Sequence, residues 1–528
     1  MPYYPQIQTL GDIARYHGSH RPDATAFIFQ DRVTDYGTFN RYTNQIANGL
    51  IAEGLEPQTR IAVMGKNSDW YYELLIGCAK ADMVTVGINW RLAPPEVSYI
   101  LNDAEAPVLF IAQEFLPLYE QIKSDLTCVK KVILLEESDD ALPCFAQWRD
   151  AQFDTDPDVE VKPEDVAVQM YTSGTTGHPK GVMVSHRAFY AANEVLDRSG
   201  EPEEEWSIWT DQDVSLNIMP NFHIGGTGWA LIGLYAGAKN VVLSEFTPAA
   251  CLQAIRDYGI SKLFIVPAAM QFVLADPSCG STDFSALKYI VYGASPIPLP
   301  LLKQAMEVFQ CGFIQLYGMT ETIGYGTYLP AEDHDPNGNP RMRSAGKTRP
   351  GIEVAIKDTE GRSVPTGTIG EICINSPSNM LGYWKRPQAT QATLIDGWIH
   401  TGDAGYKDAD GYVFVQDRIK DMIVSGGENV YPAEVESALF GLPGIADVAV
   451  IGVPDDKWGE AVKACVVLKP QAQLSSEEII AFAKEQIASY KVPKSIDFLE
   501  MLPRNPSGKI LKRELRAPYW AGRERQVN

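Results

Sequence analysis

The sequence predicts an α/β fold, with a large N-terminal domain of layered, mostly parallel sheets and a smaller α+β domain at the C-terminus. The first observation is that short apolar runs rich in β-branched residues alternate with amphipathic helical stretches over about 300 residues, as in parallel sheets covered by helices. The second is a change to short strands with turn signals beyond about residue 340. The third is the length of 528 residues, which exceeds the usual size of one domain.

The predicted elements follow this division. Buried strands are expected at 60–67, 106–113, 130–137, 214–220, 240–246, 262–267 and 287–294. Segments 36–55 and 248–259 have the apolar spacing of helices. We therefore predict a large domain over 1–417, with a β-rich unit from about 340 to 417. A smaller domain follows over 418–528, with a helix beginning near Pro432.

Composition excludes several classes of protein. The formal net charge is -22, which argues against nucleic acid as a partner because phosphate backbones bind clustered Lys and Arg. No apolar run approaches about 18 residues, so we expect no transmembrane segment, while peripheral membrane contact stays open. The eight cysteines form no CxxC pair, which indicates reduced thiols in a cytoplasmic protein. We also expect a homodimer.

The basic charge is concentrated at one end of the chain. From Arg418 onward, fifteen basic residues balance fifteen acidic ones, so the negative charge belongs to 1–417. In the last 25 residues, seven basic residues face two acidic ones. The segment around Lys509 is therefore the place where an anionic ligand is expected.

The densest local signal is YTSGTTGHPKG, residues 171–181. It follows a predicted strand at 166–171 and precedes a predicted helix at 186–196. Its glycines and hydroxyl residues offer many N–H and O–H donors, and Lys180 adds a cation, as a phosphate-binding loop requires. The spacing differs from the P-loop pattern GxxxxGK[ST]. The candidate phosphate-binding residues are Thr172, Ser173, Gly174, Thr175, Thr176, Gly177 and Lys180.

Further motifs follow in order along the chain. They are YGASPIP (292–298), YGMTET (317–322), GWIHTGD (397–403), DRIKDMIVSGGENVYPAEVE (417–436) and PRNPSGKILKREL (503–515). With the 171–181 loop, they resemble the signature motifs of the adenylate-forming superfamily, which comprises acyl-CoA synthetases, luciferases and peptide-synthetase adenylation domains. The form GGENVYPAEVE, with YKVPK at 490–494, is most similar to fatty-acid–CoA or aryl-acid–CoA ligases.

The resemblance implies a reaction in two steps. A carboxylate attacks the α-phosphorus of ATP, giving acyl-AMP and pyrophosphate, and the thiol of coenzyme A then displaces AMP. The expected cofactor is Mg²⁺, with ATP and CoA as substrates. We expect a medium- to long-chain fatty acid as the acid. The open alternatives are an aromatic acid of the cinnamate or benzoate type, a separate carrier protein as acceptor, and a luciferase-like oxygenase.

The resemblance also assigns roles at the nucleotide. Lys509 is expected to contact the carboxylate and the α-phosphate during adenylation, and Glu321 to bind Mg²⁺ with help from Thr175. Tyr317 is expected to stack on adenine. The ribose partners are Asp403 and Arg418, and the other nucleotide-binding residues are Gly293, Ala294, Ser295, Gly318 and Met319. The implied catalytic set is Lys509, Thr320, Glu321 and His223.

The acyl group and the thiol have their own candidate residues. His223 matches the gate between the acyl pocket and the thiol channel, and the pocket is expected to contain His223, Gly228, Trp229, Gly293 and Tyr325. Small residues precede Trp229 where many relatives carry larger aliphatic ones, which departs from the commonest form. Lys420 matches the hinge about which the small domain turns. The CoA channel is expected at Ser425, Gly426 and Gly427, where glycine leaves the backbone bare.

Overall fold

The computed structural model describes residues 3–136, 142–172, 179–200, 204–425, 428–455, 457–504 and 509–521, apart from the side chains of Lys420 and Asn429. Across these ranges, no helix has both the length and the apolar character that crossing a membrane would take.

Side-chain caps mark the starts of some of the helices. The Asp35 side chain accepts from the Thr38 N–H at 2.6 Å, and Thr247 accepts from the Ala250 N–H at 3.1 Å. The helices are α1 (Leu10–His20), α2 (Tyr36–Ala52), α3 (Asp69–Lys80), α4 (Pro94–Ala104), α5 (Leu116–Ile122), α6 (Phe145–Asp150), α7 (Ala191–Ser199), α8 (Ile224–Ala236), α9 (Pro248–Tyr258), α10 (Pro267–Ala275), α11 (Leu299–Phe309), α12 (Pro387–Thr393), α13 (Pro432–Phe440), α14 (Ser476–Gln486) and α15 (Lys512–Trp520).

The strands are short, as the apolar runs predict. They are β1 (Thr25–Phe29), β2 (Arg32–Asp35), β3 (Arg60–Met64), β4 (Val84–Ile88), β5 (Val108–Ile111), β6 (Lys131–Leu134), β7 (Val166–Thr172), β8 (Lys180–Ser185), β9 (Val214–Asn217), β10 (Lys239–Val242), β11 (Lys262–Ile265), β12 (Tyr289–Gly293), β13 (Gly312–Tyr317), β14 (Thr327–Leu329), β15 (Glu353–Lys357), β16 (Gly370–Asn375), β17 (Gly382–Tyr383), β18 (Leu394–Ile395), β19 (Trp398–Lys407), β20 (Val413–Arg418), β21 (Ile423–Ser425), β22 (Glu428–Val430), β23 (Ile445–Asp455), β24 (Gly459–Leu468) and β25 (Ser495–Phe498).

Two large, mostly parallel sheets form the body of the protein. The first has the strand order β14-β13-β12-β11-β9-β10-β1-β2, and the second has the order β17-β8-β7-β4-β3-β5-β6. Antiparallel pairs occur at their ends, as in β13–β14, β1–β2 and β7–β8. The main apolar core combines α2, α3 and α8 with strands of both sheets. The predicted α/β fold is confirmed.

Two smaller sheets complete the chain. The antiparallel sheet β15-β16-β19-β18, with β20 beside β19, makes up a β-rich unit. The last sheet has the order β22-β21-β24-β23, with β25 parallel to β24. Its apolar face packs against α13 and α14, which gives the α+β character predicted for the C-terminal part.

The structure around the 171–181 loop differs from the prediction in one strand. We expected a strand at 166–171 and a helix at 186–196, and β7 followed by the 3-10 turn Arg187–Phe189 and α7 largely confirms both. What was not predicted is β8, which lies between them, antiparallel to β7, with Thr172 opposite Lys180. The run KGVMVS is rich in valine, which favours a strand. The loop is therefore a hairpin connection, and no helix N-terminus follows it directly.

A buried ion pair links α3 to α6. Arg149 Nη1 lies 2.7 Å from Glu73 Oε2, with 6% and 2% of the two side chains exposed. Burial raises the pKa of Glu73 to about 7, although the neighbouring Arg149 opposes the rise. The carboxylate is thus ionised largely because the guanidinium is present.

We expect Arg149→Met to lower the free energy of unfolding by about 3–5 kcal/mol, because it leaves Glu73 buried without its cation. Urea unfolding followed by circular dichroism measures the change. Adding Glu73→Leu should recover most of the loss, whereas the exposed Arg41→Met should change stability by no more than about 0.5 kcal/mol. A single variant as stable as the unaltered protein would contradict this account.

Candidate active site

One cavity of about 1450 Å³ brings most of the predicted site residues together. It lies where the large body, the β-rich unit and α15 meet. The predicted residues that line it are Thr172, Lys180, His223, Gly228, Trp229, Ala294, Gly318, Met319, Thr320, Glu321, Tyr325, Arg418 and Lys509. Residues more than 300 positions apart therefore share one wall, which is what a composite active site requires.

Other predicted residues lie elsewhere. Gly293, Ser295, Tyr317, Asp403 and Ser425 are not among the residues that line this cavity. Tyr317 and Asp403 lie directly behind the lining residue Arg418. Seven predicted positions and one side chain fall outside the described residues: Ser173, Gly174, Thr175, Thr176, Gly177, Gly426, Gly427 and the side chain of Lys420. Their roles stay predictions, as do the roles of the other site residues.

A tyrosine that the sequence reasoning missed joins the expected metal ligand to the phosphate loop. Tyr383 donates its hydroxyl to Glu321 Oε1 at 2.7 Å, and Lys180 Nζ lies 4.5 Å from the centre of the Tyr383 ring. Burial, and then the charge of Glu321, raises the pKa of Tyr383, so the phenol keeps its proton. β17 pairs with β8 and places Tyr383 opposite Val182.

The surroundings of Glu321 fit a hard cation. Glu321 lies on the 3-10 turn Thr320–Thr322 and is only 5% exposed. Oε1 is occupied by Tyr383, whereas no group among the described residues donates to Oε2. One carboxylate oxygen, completed by phosphate oxygens and water, suits Mg²⁺.

Three side chains form a chain of contacts behind the cavity wall. Tyr317 donates its hydroxyl to Asp403 Oδ2 at 2.7 Å, and Arg418 Nε lies 2.8 Å from Asp403 Oδ1. The pairing of β19 with β20 sets Asp403 opposite Arg418. Each oxygen of a carboxylate has two acceptor sites. The carboxylate of Asp403 therefore keeps acceptor sites beyond these two partners.

A second pair in the cavity wall was also missed. His400 Nδ1 lies 2.7 Å from Glu371 Oε2, and Glu371 Oε1 accepts from the Gly402 N–H at 2.9 Å. Cys373 Sγ lies 3.5 Å from the same His400 nitrogen. The separation of 2.7 Å is that of a direct hydrogen bond, since two ligands held about 2 Å from one ion stand further apart. The hydrogen bond therefore orients the imidazole of His400.

The side of the cavity that is predicted to take the acyl group follows one face of α8. This face and the segments opposite it are mostly apolar, and the lining residues are Ile224, Gly228, Leu231, Ile232 and Tyr235 on α8, with Leu10, Ile13, Phe189 and Tyr190 across the cavity. Burial lowers the pKa of His223 to about 4, so its imidazole is neutral at neutral pH. The wall thus carries little charge, as an apolar acyl group requires.

Two glycines of α8 have different constraints. A Cβ added at Gly226 would lie 2.1 Å from the carbonyl oxygen of Pro220, so this position accepts no side chain. A Cβ added at Gly228 would meet only Ile224, at 3.4 Å. Gly226 is therefore required by the close approach of the backbone, whereas Gly228 leaves space in the cavity.

α15 closes the cavity from the C-terminal side and is tied to the junction between the domains. Lys512 Nζ lies 2.9 Å from Glu436 Oε1 and 3.5 Å from Asp417 Oδ2. The Ala433 N–H also donates to Asp417 Oδ2, at 2.9 Å. Asp417 precedes the predicted hinge at Lys420, whereas its partners follow it. These contacts therefore cross the predicted hinge.

The charge of Lys512 is stabilised by its acidic neighbours. Burial alone lowers the pKa of this amine, but the attraction of Glu436 and Asp417 outweighs burial and raises the pKa above its usual range. Lys512 therefore stays protonated. Since it lies three residues after Lys509, its ion pairs hold the predicted catalytic lysine at the cavity.

Comparison with known proteins agrees with this geometry. A family model described as AMP-binding enzyme matches residues 15–384, and one described as AMP-binding enzyme C-terminal domain matches 434–509. The fatty acid–[acyl-carrier-protein] ligase ScoC of Streptomyces coeruleorubidus is 44% identical, with 100% of this chain and 99% of the relative covered. The long-chain-fatty-acid–CoA ligase FadD13 of Mycobacterium tuberculosis is 34% identical, with 98% and 99% covered.

A solved structure is similar over nearly the whole chain. The anthranilate CoA ligase AuaEII, in complex with anthranoyl-AMP, superposes with a TM-score of 0.88 at 29% identity, with 98% of each chain covered. The two family models together account for both the large body and the C-terminal part. The chain therefore belongs to the AMP-binding enzyme family and is an ATP-using, adenylate-forming acid ligase.

Proposed function

We propose that the protein activates a medium- to long-chain fatty acid as its acyl-AMP and then transfers the acyl group to a thiol. The observation that supports a long acid is the apolar wall along α8. From Ile224 to Tyr235 it extends for about 16 Å at the rise of an α-helix. A wall of this length matches a linear chain better than a single ring.

In the first step, the cations of the cavity offset the charge of the reacting groups. The acid is ionised at neutral pH and needs no base, but its carboxylate must approach a triphosphate. Lys180 and Lys509 both line the cavity and provide positive charge where the anions meet. Bound Mg²⁺ would neutralise phosphate charge, and Glu321 Oε2 is the oxygen suited to hold it.

The thiol acceptor has two candidates. Coenzyme A follows from the resemblance to CoA ligases and is the acceptor in the name of FadD13. A carrier protein is the second, because the 44% identical ScoC is a fatty acid–[acyl-carrier-protein] ligase. An aromatic acid is the second candidate for the acid, because AuaEII is similar over the whole chain.

A panel of acids tests the proposal directly. Pyrophosphate release is measured with straight-chain acids of increasing length and with benzoate and cinnamate, in the presence and absence of CoA. We expect the highest kcat/KM for a medium- or long-chain acid and AMP release that depends on CoA. Activity confined to aromatic acids would contradict the proposed acid. Acyl-AMP formation without transfer to CoA, but with transfer to a phosphopantetheinylated carrier, would assign the carrier as acceptor.

Lys509→Ala separates the two half-reactions. Loss of a cation at the developing charge should slow acyl-AMP formation about 10²–10³-fold. Thioester formation from preformed acyl-AMP should stay within about threefold of the unaltered enzyme, because no triphosphate is present in that step. The exposed Lys494→Ala is the matched control. An equal loss in both half-reactions would assign Lys509 a structural role instead.

Asp417→Asn tests the contacts that cross the hinge. Removal of this charge weakens the hold on Lys512 and should slow adenylation about 5–30-fold, which corresponds to one or two kcal/mol. Thioester formation from acyl-AMP should fall less, because that step is expected after the small domain has turned. Asp410→Asn, in the exposed turn of the same hairpin, is the control. An unchanged ratio of the two rates would show that Asp417 does not favour the adenylation arrangement.

Trp229→Ala tests the acyl wall. Trp229 is 6% exposed and packs against Trp209, with 5.1 Å between ring centroids. Its truncation should enlarge the cavity and move the preferred acid by two or more carbons. The measurement is the profile of kcat/KM against chain length. The acids at the edges of the range should change about tenfold in kcat/KM. Trp458→Ala, in the small domain, should leave the profile unchanged. The same profile in both variants would remove Trp229 from the pocket.

A further inference from the structure

A second, much smaller cavity lies behind the acyl wall. Its volume is about 20 Å³, and it shares Trp229, Ile232, Leu316 and Tyr325 with the main cavity. Its polar lining also includes Asn193 of α7, Ser207 and Arg349. This volume accommodates one group the size of a water molecule.

Two hydrogen-bond donors of this small cavity have no partner among the residues that the structure describes. Trp229 Nε1 and Asn193 Nδ2 are buried without a partner, and an indole nitrogen can only donate. Within the described ranges, Arg349 pairs with no carboxylate, and its guanidinium lies 5.5 Å from the ring centroid of Trp206. Burial raises the pKa of Tyr325 to about 12, so its hydroxyl also keeps its proton.

Donors from three separate segments thus surround one small space. Buried polar groups in native proteins are nearly always paired, so an unpaired donor indicates a partner that binds there. The segments are α7, α8 and the stretch around Arg349, which rules out a local feature of one helix. Trp229 Nε1 and Asn193 Nδ2 therefore both lack an acceptor in the described part of the chain.

We infer that the small cavity is a subsite for one oxygen substituent, oxo or hydroxyl, carried by the acyl chain away from its carboxyl group. The oxygen accepts from Trp229 Nε1 and Asn193 Nδ2, and the nearby Arg349 cation strengthens both hydrogen bonds. The rest of the chain lies along α8. This inference rests on the proposed function, because it specifies the acid that the same cavity accepts.

Matched pairs of acids test the subsite. Each pair has one chain length and differs only by an oxo group, which is moved along the chain from one pair to the next. Pyrophosphate release gives the ratio of kcat/KM for the two members. We expect one position at which the oxo acid is preferred at least about tenfold, because a site built for a hydrogen-bonded oxygen discriminates against an acid that lacks it.

Trp229→Phe keeps an aromatic ring and removes only the donor. It should lower that preference about tenfold, measured within the variant as the ratio of kcat/KM for the oxo acid to kcat/KM for the plain acid of the same length. Arg349→Met should lower the preference as well. Trp209→Phe is the matched control, since Trp209 lines the same small cavity but its nitrogen is not among the buried atoms without a partner.

The possible outcomes are distinct. If no oxo position is preferred, or if Trp229→Phe leaves the ratio unchanged, the cavity holds only a water molecule and the inference is wrong. Quenching of tryptophan fluorescence by the same acids, without ATP, measures the preference independently of turnover. Loss of pyrophosphate release for every acid would overturn the proposed function, whereas the binding preference would still support or refute the subsite.

Discussion

The arrangement of the cavity depends on the carboxylate of Asp417. It accepts from the N–H of Ala433 and lies within ion-pair distance of Lys512, although it belongs to β20 on the other side of the predicted hinge. A buried carboxylate in this position is stabilised by both a helix N-terminus and a cation. The contact joins the start of α15 to β20, and the Arg516–Asp421 ion pair and the hydrogen bond from Trp520 to the Gly452 carbonyl add to it. Together they place the segment that contains Lys509 beside the cavity.

The distribution of charge fits a cavity for anions in an acidic protein. The chain carries a net charge of -22, yet Lys180, Arg418 and Lys509 line one cavity. At physiological salt, charges on the outer surface are screened beyond about 8 Å, so the charges of the cavity's own lining, cations and the carboxylates of Glu321 and Glu371 alike, set the potential inside it. The acyl wall carries little charge because burial keeps the His223 imidazole neutral. The charged side chains and the apolar side chains therefore line different parts of the same cavity.

The sequence was sufficient to predict the fold class and most residues of the cavity, because both depend on local patterns. Alternating apolar runs predict the parallel sheets, and motif matches predict Glu321, Lys180 and Lys509. Tyr383 was not predicted, because its contact with Glu321 joins residues 62 positions apart and arises from the pairing of β17 with β8. The same applies to Glu371 and His400, which meet only through the pairing of β16 with β19. Strand pairing is non-local, and a single sequence carries no direct signal for it.

The two glycines of α8 have a consequence for the evolution of this protein. Gly226 is fixed by the carbonyl of Pro220, so substitution there disturbs the backbone itself. Gly228 lies one residue before Trp229 and borders the cavity with space beside it. A lineage can therefore shorten or reopen the binding space by exchanging one small residue for another at Gly228, without repacking the protein. A single codon change at Gly228 is therefore enough to alter which acids the cavity accepts.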